Sequence, residues 1–395
     1  MGNWKTCTIA DLGMVVGGAT PSTKEAENYD GGTIAWITPK DLAGYSERFI
    51  SHGERDITET GLHSCSAQMM PRHSVLFSSR APIGYVAIAE NELCTNQGFK
   101  SVVPNENTDY MFLYYLLLNN RQRIEHMGSG TTFKEVSGKT MRSIEVRVPE
   151  SKEEQIRISS ILSTIDDKIE ENERINKNLF AQVMALYKHF FTESVAEHIS
   201  CRADEYFDIT IGKTPPRKER EWFSTNQKDE CWVSISDMGN CGLYISNTSE
   251  RLTHDAIRRF NIVIVPDNTV LLSFKLTVGR LAITDGEMVT NEAIAHFKTD
   301  KAYINPYLFC YLKSFNFQSL GSTSSIATAV NSKIIKAIPF VIPEAGELQQ
   351  FNEVALPAFA AIKANQAENR SLSELRDSLL PKLMSGELDV SNIDL

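Results

Sequence analysis

The sequence predicts an α+β protein built as a tandem repeat, with two similar globular domains separated by two long antiparallel helices in a pseudo-twofold arrangement. Three observations support this fold class. Short motifs of the first half return in the same order in the second half, at a nearly constant offset of 194 to 196 residues. Each half begins with short β-branched and aromatic runs and then changes to a helical period. The chain of 395 residues is also longer than a single hydrophobic core normally organises.

The repeat rests on five pairs of short motifs, and their common order makes a chance origin implausible. The matched pairs are Gly18–Pro21 with Gly212–Pro215, Trp36–Thr38 with Trp232–Ser234, Val75–Arg80 with Val270–Lys275, Thr95–Asn96 with Thr290–Asn291, and Val148–Pro149 with Ile342–Pro343. We therefore interpret the chain as a tandem duplication.

The part of each half that precedes the Val-Pro or Ile-Pro motif predicts a compact α+β domain with much strand. Runs such as 32–37 and 84–88 alternate with Gly, Pro and Asn, which is typical of short strands and turns. One helix is predicted in each domain, at Tyr110–Arg123 in the first and at Tyr307–Lys313 in the second. We place the domains at residues 1–149 and 196–343, followed by helical segments at 150–195 and 344–395.

The first helical segment carries a heptad seam and contains no glycine or proline between Lys152 and Phe191. Its predicted seam residues are Ile158, Leu162, Ile165, Ile169, Asn172, Asn176, Leu179 and Val183. An acidic cluster at Asp166, Asp167, Glu170 and Glu171 flanks this seam, and we expect it to form a solvated face.

The second helical segment is less regular but fits one seam through Ile362, Asn365, Asn369 and Leu372. Pro357 and Pro381 lie within it, so we expect one helical segment to begin near Pro357 and the last turns to bend or stop near Pro381.

Asparagines interrupt both seams near their centres. Buried seam asparagines cost stability unless they are paired, and two helices of similar length can pair such layers when they lie antiparallel. The sequence therefore predicts a long antiparallel helix pair. The alternative, two independent helices with their asparagines at a solvated edge, remains open at this point.

Composition limits the classes of function. The formal net charge of −10 argues against a free-standing nucleic-acid binder, because phosphate binding usually requires a basic surplus. The seven cysteines show no Cys-x-x-Cys spacing, and neither a phosphate-binding loop nor a convergent acid, base and nucleophile is present. We predict no catalytic residues, no metal site and no membrane span, and we expect a soluble cytoplasmic protein.

The repeated loops, the asparagine-containing seams and the ending Leu383–Val390 together resemble the specificity subunit of type I restriction-modification systems, over essentially the whole chain. This resemblance implies two target-recognition domains that each read half of a split site in double-stranded DNA. It also implies that two methyltransferase subunits dock on the helices and that restriction subunits join them. The chain itself is then non-catalytic, and S-adenosylmethionine, ATP and magnesium belong to the partner subunits.

The loops of each domain offer the chemistry for that role, since glycines let backbone amides approach phosphates, hydroxyls and lysines position a duplex, and arginine can read guanine. The predicted DNA-binding residues are Thr20, Lys24, Ser79, Arg80, Lys100 and Lys134 in the first domain and Lys213, Thr214, Arg217, Lys218, Arg220 and Lys275 in the second. The two sets differ, which predicts an asymmetric bipartite target. An alternative is a tandem scaffold that binds proteins through its domains and helices and does not read DNA.

Overall fold

The computed structural model describes residues 3–130, 134–192, 199–320 and 331–390. The chain divides into two compact units. The first unit comprises Met1–Glu170 and Arg370–Leu395, and the second comprises Glu171–Asn369. Each unit therefore combines one globular part with a portion of each long helix. The domain boundary predicted between residues 195 and 196 lies outside the described residues.

Among its described residues, the first unit contains nine strands and four short or medium helices in addition to its portions of the long helices. The strands are β1 (Trp4–Thr8), β2 (Gly13–Gly17), β3 (Trp36–Ile37), β4 (Phe49–Ile50), β5 (Val75–Ser79), β6 (Ile83–Ala89), β7 (Cys94–Thr95), β8 (Lys100–Pro104) and β9 (Glu145–Pro149), and the helices are α1 (Ile9–Leu12), α2 (Glu59–His63), α3 (Tyr110–His126) and α4 (Gly138–Arg142). Five of the strands form a sheet in the order β2-β8-β5-β6-β4, and the pairs β1-β9 and β3-β7 stand apart from it.

The core of the first unit lies where α3 packs against this sheet. All five residues of β5 are buried, as expected for a central strand covered on both faces. The Asp109 side chain accepts a hydrogen bond from the Phe112 amide at 2.7 Å and so caps the start of α3. The helix predicted at Tyr110–Arg123 is thus confirmed, with one further turn at its end.

The long helices are α5 (Lys152–Phe191) and α11 (Ala345–Ser385). The second unit adds strands β10 (Ser200–Arg202), β11 (Asp208–Ile211), β12 (Phe223–Ser224), β13 (Glu230–Val233), β14 (Tyr244–Ile245), β15 (Arg251–Leu252), β16 (Val270–Ser273), β17 (Leu281–Thr284), β18 (Val289–Thr290), β19 (Ile294–Lys298) and β20 (Pro339–Val341), with helices α6 (Ala203–Tyr206), α7 (Ile235–Asn240), α8 (His254–Phe260), α9 (Asn305–Ser314) and α10 (Ser332–Lys336).

The second unit repeats the topology of the first. Its main sheet has the order β11-β19-β16-β17-β14, in which the last strand pairs parallel and the others antiparallel, as in the sheet β2-β8-β5-β6-β4. The helix predicted at Tyr307–Lys313 is present as α9. The tandem α+β fold predicted from the repeated motifs is therefore confirmed.

The asparagine layers are paired within the second unit. Asn172 donates to the side-chain oxygen of Asn369 at 2.8 Å, and Asn365 donates to that of Asn176 at 2.8 Å. This order means that the portions of α5 and α11 in this unit run antiparallel. None of the predicted seam residues is exposed, so the alternative that placed the asparagines at a solvated edge is wrong.

Two expectations about the long helices are wrong. First, α11 runs without interruption from Ala345 to Ser385 and neither begins at Pro357 nor ends at Pro381. Both prolines are exposed, while Ala355, Ala358 and Phe359 are buried beside the first of them. Burial of the opposite face thus offsets the roughly 3 kcal/mol that a proline costs inside a helix.

Second, the acidic cluster of α5 is not simply a solvated face. Asp166 is buried and accepts hydrogen bonds from the Tyr115 hydroxyl at 2.6 Å and from Arg376 at 2.8 Å. The buried Arg48 side chain donates to Glu170 at 2.8 Å and also to Asp167. These acids therefore hold buried cationic and phenolic groups of the first unit.

Candidate nucleic-acid interface

The Gly-x-Thr-Pro loop, Gly18–Pro21 in the first unit and Gly212–Pro215 in the second, packs against a Thr-Asn segment that begins at Thr95 or Thr290. A Cβ atom on Gly18 would lie 2.1 Å from the Thr95 carbonyl oxygen, and one on Gly212 would lie 2.3 Å from the Thr290 carbonyl oxygen. Only glycine allows this approach of two backbones. The sequence motif therefore reflects a close backbone contact that both units share.

A side-chain hydrogen bond closes the same contact in each unit. The Thr20 hydroxyl donates to the Gln97 side-chain oxygen, and the Thr214 hydroxyl donates to the Glu292 carboxylate. Both threonines are half-buried, and their hydroxyls hold the loop against the Thr-Asn segment. The two units thus differ by a neutral amide in one and a carboxylate in the other at the same position.

The second shared feature is a hairpin loop, residues 78–84 in the first unit and 273–279 in the second. The buried Ser78 hydroxyl donates to the Pro82 carbonyl at 2.8 Å and accepts from the Tyr85 amide at 2.8 Å. In the second unit, Ser273 makes the corresponding bonds to the Thr277 carbonyl at 2.6 Å and the Arg280 amide at 3.0 Å. One buried hydroxyl thus fixes the shape of each hairpin loop.

The hairpin loop lies next to the Thr-Asn segment in both units. The Ser79 amide donates to the Gly98 carbonyl at 2.7 Å, and the Phe274 amide donates to the Ala293 carbonyl at 2.9 Å. Because the Thr-Asn segment also contacts the Gly-x-Thr-Pro loop, three loops converge at one edge of each unit. The structure therefore brings together the loops whose cations the sequence singled out.

In the first unit, Arg80 and Lys100 share one acidic neighbour. Arg80 Nη1 lies 3.9 Å from Glu135 Oε2, and Lys100 Nζ lies 3.5 Å from Glu135 Oε1. Lys134 is exposed beside Glu135, and Lys24 is exposed in the turn after the Gly-x-Thr-Pro loop. Residues 131–133, which precede Lys134, lie outside the described residues.

Ser79 does not belong to an accessible surface, and its selection as a DNA-binding residue needs correction. Its side chain is buried, and its hydroxyl donates to the Gly98 carbonyl at 3.1 Å. A hydroxyl that is buried and already satisfied is not offered to a duplex. Ser79 instead ties the hairpin loop to the Thr-Asn segment.

In the second unit, the predicted cations fall into three environments. Lys213 donates to the Phe260 and Asn261 carbonyls at 3.2 and 3.1 Å, where it satisfies the end of α8. Arg217 donates to both carboxylate oxygens of Glu250, at 3.0 and 2.8 Å. The remaining predicted cations, Lys218, Arg220 and Lys275, are exposed.

Four residues of this surface were missed by the sequence analysis: Arg55, Gln97, Glu292 and Leu276. The guanidinium carbon of Arg55 lies 3.5 Å from the centre of the Tyr29 ring. Leu276, at the tip of its hairpin loop, is 99% exposed and has a φ of +61°. No sequence motif marks Arg55, whose match in the second half is Glu250, the partner of Arg217.

The Thr-Asn segment of the second unit leads into a buried histidine. His296 lies between the hydroxyls of Thr210 and Thr290, at 3.0 and 2.6 Å from its two ring nitrogens. Burial, assisted by the nearby Lys298, lowers the pKa of His296 to about 3. The imidazole is therefore neutral at physiological pH and acts as a bridge between strands.

Neither a metal site nor a membrane span is found in the part of the chain that the structure describes. No group of three or more His, Cys, Asp or Glu residues there is arranged to hold a metal ion. No helix within those residues is both long and apolar enough to cross a membrane.

Comparisons with known proteins agree with this architecture. The chain matches the type I restriction modification DNA specificity domain over residues 1–179 and 201–373. It is 32% identical to the type I restriction enzyme MjaIX specificity subunit of Methanocaldococcus jannaschii. The alignment is 430 positions long and covers 99% of this chain and 95% of that protein. It is 22% identical to the type I restriction enzyme HindI specificity subunit of Haemophilus influenzae, over 88% of this chain and 89% of that protein.

The fold is similar to a solved structure, the type I restriction-modification system S subunit from M. genitalium. The TM-score is 0.57 at 16% sequence identity, and the match covers 97% of this chain and 96% of that one. At this identity the likeness concerns the fold alone.

Proposed function

The chain belongs to the type I restriction modification DNA specificity family. We propose that it reads an asymmetric bipartite target in double-stranded DNA and that methyltransferase and restriction subunits dock on it. Each unit would read one half of the target. The chain would supply recognition only, and the partner subunits would bring S-adenosylmethionine, ATP and magnesium.

The observation that carries this proposal is the convergence of three loops at one edge of each unit on the same backbone contacts but with different side chains. The Gly-x-Thr-Pro loop, the hairpin loop and the Thr-Asn segment are held by matching hydrogen bonds in both units. The residues at matching positions differ, as the half-buried Arg80 and the exposed Lys275 illustrate. A fixed framework with variable contact residues is what two readers of different half-sites require.

In this proposal the two long helices set the spacing of the half-sites and bind the methyltransferase subunits. A helix rises about 1.5 Å per residue, so α5 and α11 can set the distance between two half-sites. The asparagine pairs Asn172–Asn369 and Asn176–Asn365 fix their register. Methyltransferase subunits would dock on these helices.

The acidic net charge fits a reader that works inside a complex. A total of −10 would weaken non-specific attraction to DNA. Basic surfaces of the partner subunits would then supply much of the affinity for phosphates. We expect the isolated chain to bind DNA weakly.

The test is to co-express the chain with the methyltransferase encoded beside it and to map modified bases across the host genome. We expect methylation at one split motif, and no such motif without this chain. A methyltransferase that is equally active, or equally silent, in the absence of the chain would contradict the proposal. It would favour a scaffold that binds only proteins.

A variant that carries Arg217→Ala, Lys218→Ala and Arg220→Ala sharpens the test. We expect this variant to lose the methylation that requires the half-motif read by the second unit. Any methylation that remains should still require the half-motif read by the first unit. Arg72→Ala is the control, at an exposed arginine that precedes β5 at the strand end opposite the hairpin loop and lies outside the long helices. Undiminished methylation in the triple variant would remove this loop from the DNA interface.

A further inference from the structure

An aromatic pair supports the Gly-x-Thr-Pro loop in each unit. The rings of Tyr29 and Trp36 meet edge to face with centres 6.1 Å apart, and those of Phe223 and Trp232 do so at 5.6 Å. The indole nitrogen of each tryptophan donates to a carbonyl of its loop, Trp36 to Ala19 at 3.1 Å and Trp232 to Lys213 at 3.3 Å. The pairs occupy matching positions of the repeat, since Tyr29 and Phe223 are offset by 194 residues.

A guanidinium group lies on this aromatic pair in both units, but it comes from positions that do not match. Arg55 places its guanidinium carbon 3.5 Å from the centre of the Tyr29 ring. Arg217 places its own 4.5 Å from the ring centres of both Phe223 and Trp232. The repeat sets Arg55 against Glu250, offset by 195 residues, and sets Arg217 against Thr23, offset by 194 residues. Both units thus place a guanidinium group on this aromatic pair, although the two arginines occupy positions of the repeat that do not match.

The two guanidinium groups differ in what their N–H donors contact. Arg217 is bound by the Glu250 carboxylate, which partly neutralises it. Arg55 is exposed, and none of the residues that the structure describes accepts a hydrogen bond from its guanidinium. Stacking on Tyr29 fixes the plane of the Arg55 group and leaves its edge free for a planar acceptor pair.

Tyr29 is itself held firmly. It is buried, and its hydroxyl donates to the Pro21 carbonyl of the Gly-x-Thr-Pro loop at 2.7 Å. Arg55 therefore rests on a ring that is fixed to the predicted recognition loop. Ordering before binding lowers the entropy that a flexible arginine loses when it contacts a ligand.

We propose that Arg55 reads a guanine in the half-site bound by the first unit, through hydrogen bonds from its guanidinium edge to the N7 and O6 acceptors in the major groove. This inference rests on the proposed function. Arg217, already paired with Glu250, makes a different contact in the other half-site. The first half-motif therefore contains a G·C pair that depends on Arg55.

The experiment uses the complex of this chain with its methyltransferase and a fluorescent duplex that carries the split motif found in the methylation map. Affinity is measured by anisotropy for the parent, Arg55→Ala, Arg55→Lys and the control Arg72→Ala, an exposed arginine before β5 at the strand end opposite the hairpin loop. Each guanine of the motif is replaced in turn by 7-deazaguanine, which lacks the N7 acceptor.

We expect Arg55→Ala to weaken binding by about 5- to 150-fold and to be insensitive to 7-deazaguanine at one guanine where the parent is sensitive. Arg55→Lys should resemble Arg55→Ala, because an ammonium group lacks the planar fork, and Arg72→Ala should bind like the parent. Full affinity in Arg55→Ala would overturn the inference. Full affinity in Arg55→Lys would also overturn it, because it would indicate a phosphate contact. The same holds if Arg55→Ala affects the half-motif that the triple variant of Arg217, Lys218 and Arg220 assigns to the second unit.

The two proposals fail in distinguishable ways. If the parent complex methylates a split motif and Arg55→Ala binds that motif normally, only the role of Arg55 is refuted. If the parent methylates no split motif, the proposed function is refuted and the role of Arg55 with it.

Discussion

The two units hold their portions of the long helices with opposite chemistry at matching positions. In the first unit, Asp166 of α5 is buried between the Tyr115 hydroxyl and the Arg376 guanidinium. In the second unit the matching positions are apolar. At offsets of 193 or 194 residues, Phe359 matches Asp166, Phe309 matches Tyr115 and Val183 matches Arg376. Phe309 and Phe359 pack edge to face with ring centres 6.1 Å apart.

The charges near these positions are also reversed. In the first unit the globular part supplies the cation, Arg48, and α5 supplies the carboxylate of Glu170. In the second unit the residue that matches Glu170 is Lys363 of α11, which binds Asp285 at 3.0 Å and Asp267 at 3.4 Å. Burial alone would lower the pKa of Arg48, but its hydrogen bonds to Glu170 and Asp167 outweigh that effect and the pKa is raised.

This difference shows that a duplicated scaffold keeps its topology while the groups that hold it diverge. A buried ion pair adds little net stability over apolar packing, but it strongly penalises the wrong partner. Each globular part is therefore matched to its own helix portions, and exchange of single residues between matching positions should be costly.

The largest effect is expected when the polar residue of the first unit is placed at its matching position in the second. Phe359→Asp removes a buried aromatic ring and buries a carboxylate beside Phe309, and Phe309 and Val183 occupy the positions that match Tyr115 and Arg376. We expect a loss of more than about 5 kcal/mol in the free energy of unfolding. Urea denaturation should show the second unit unfolded or strongly destabilised, and near-parent stability would mean that the position is not as apolar as its contacts indicate.

A smaller loss should follow when the polar arrangement of the first unit is broken. Asp166→Ala leaves the Tyr115 hydroxyl and the Arg376 guanidinium without their shared acceptor, and we expect a loss of about 3 kcal/mol. The matched control is Asp377→Ala, which removes an exposed partner of the same arginine. Equal effects of the two variants in thermal or urea unfolding would show that burial of Asp166 contributes nothing.

The sequence predicted features that depend on local order and on comparison of the two halves. The repeat predicted the matching sheets, and the 3.6-residue period with central asparagines predicted an antiparallel helix pair whose polar layers are paired. These signals can be found along the chain itself, so no knowledge of tertiary contacts was needed.

Features that depend on distant partners were not predicted. The burial of Asp166 requires Tyr115 and Arg376, which are far from it along the chain, so its acidic neighbours suggested a solvated face. Ser79 lies in a motif with a cation and was assigned to DNA, yet its register in β5 buries it. Arg55 carries no motif of its own, and its significance emerged only from the ring on which it stacks.

The next largest effect is expected at low pH, which should destabilise the second unit through His296 and not the first unit through the matching residue. His296 has a folded-state pKa of about 3, below its ordinary value, so the unfolded chain binds a proton below about pH 6.5 that the folded second unit excludes. Its contribution to stability is complete above that pH and is lost as the pH falls toward 3. Ser101 occupies the matching position in the first unit and does not titrate.

We therefore expect the second unit to lose about 2 kcal/mol between pH 6.5 and pH 5 from this group. Fluorescence-detected urea unfolding can follow it through Trp222 and Trp232 once the tryptophans of the first unit are replaced by phenylalanine. His296→Gln should flatten this dependence. An unchanged pH dependence in that variant would assign the effect to other groups.

The smallest effect concerns the hairpin loops, where Ala81 and Leu276 occupy matching positions with φ angles of +49° and +61°. A left-handed conformation disfavours leucine but suits asparagine, and the Leu276 side chain is 99% exposed and packs on nothing that would be lost. Leu276→Asn should therefore raise the free energy of unfolding by about 0.5 to 1 kcal/mol. Asn261→Leu, at a left-handed residue after α8, should lower it by a similar amount.

A loss of stability in Leu276→Asn would mean that the leucine makes contacts in the folded chain. A gain in stability joined to weaker DNA binding would instead mean that the strained leucine is retained for recognition, since strain that the fold does not need concentrates at functional sites.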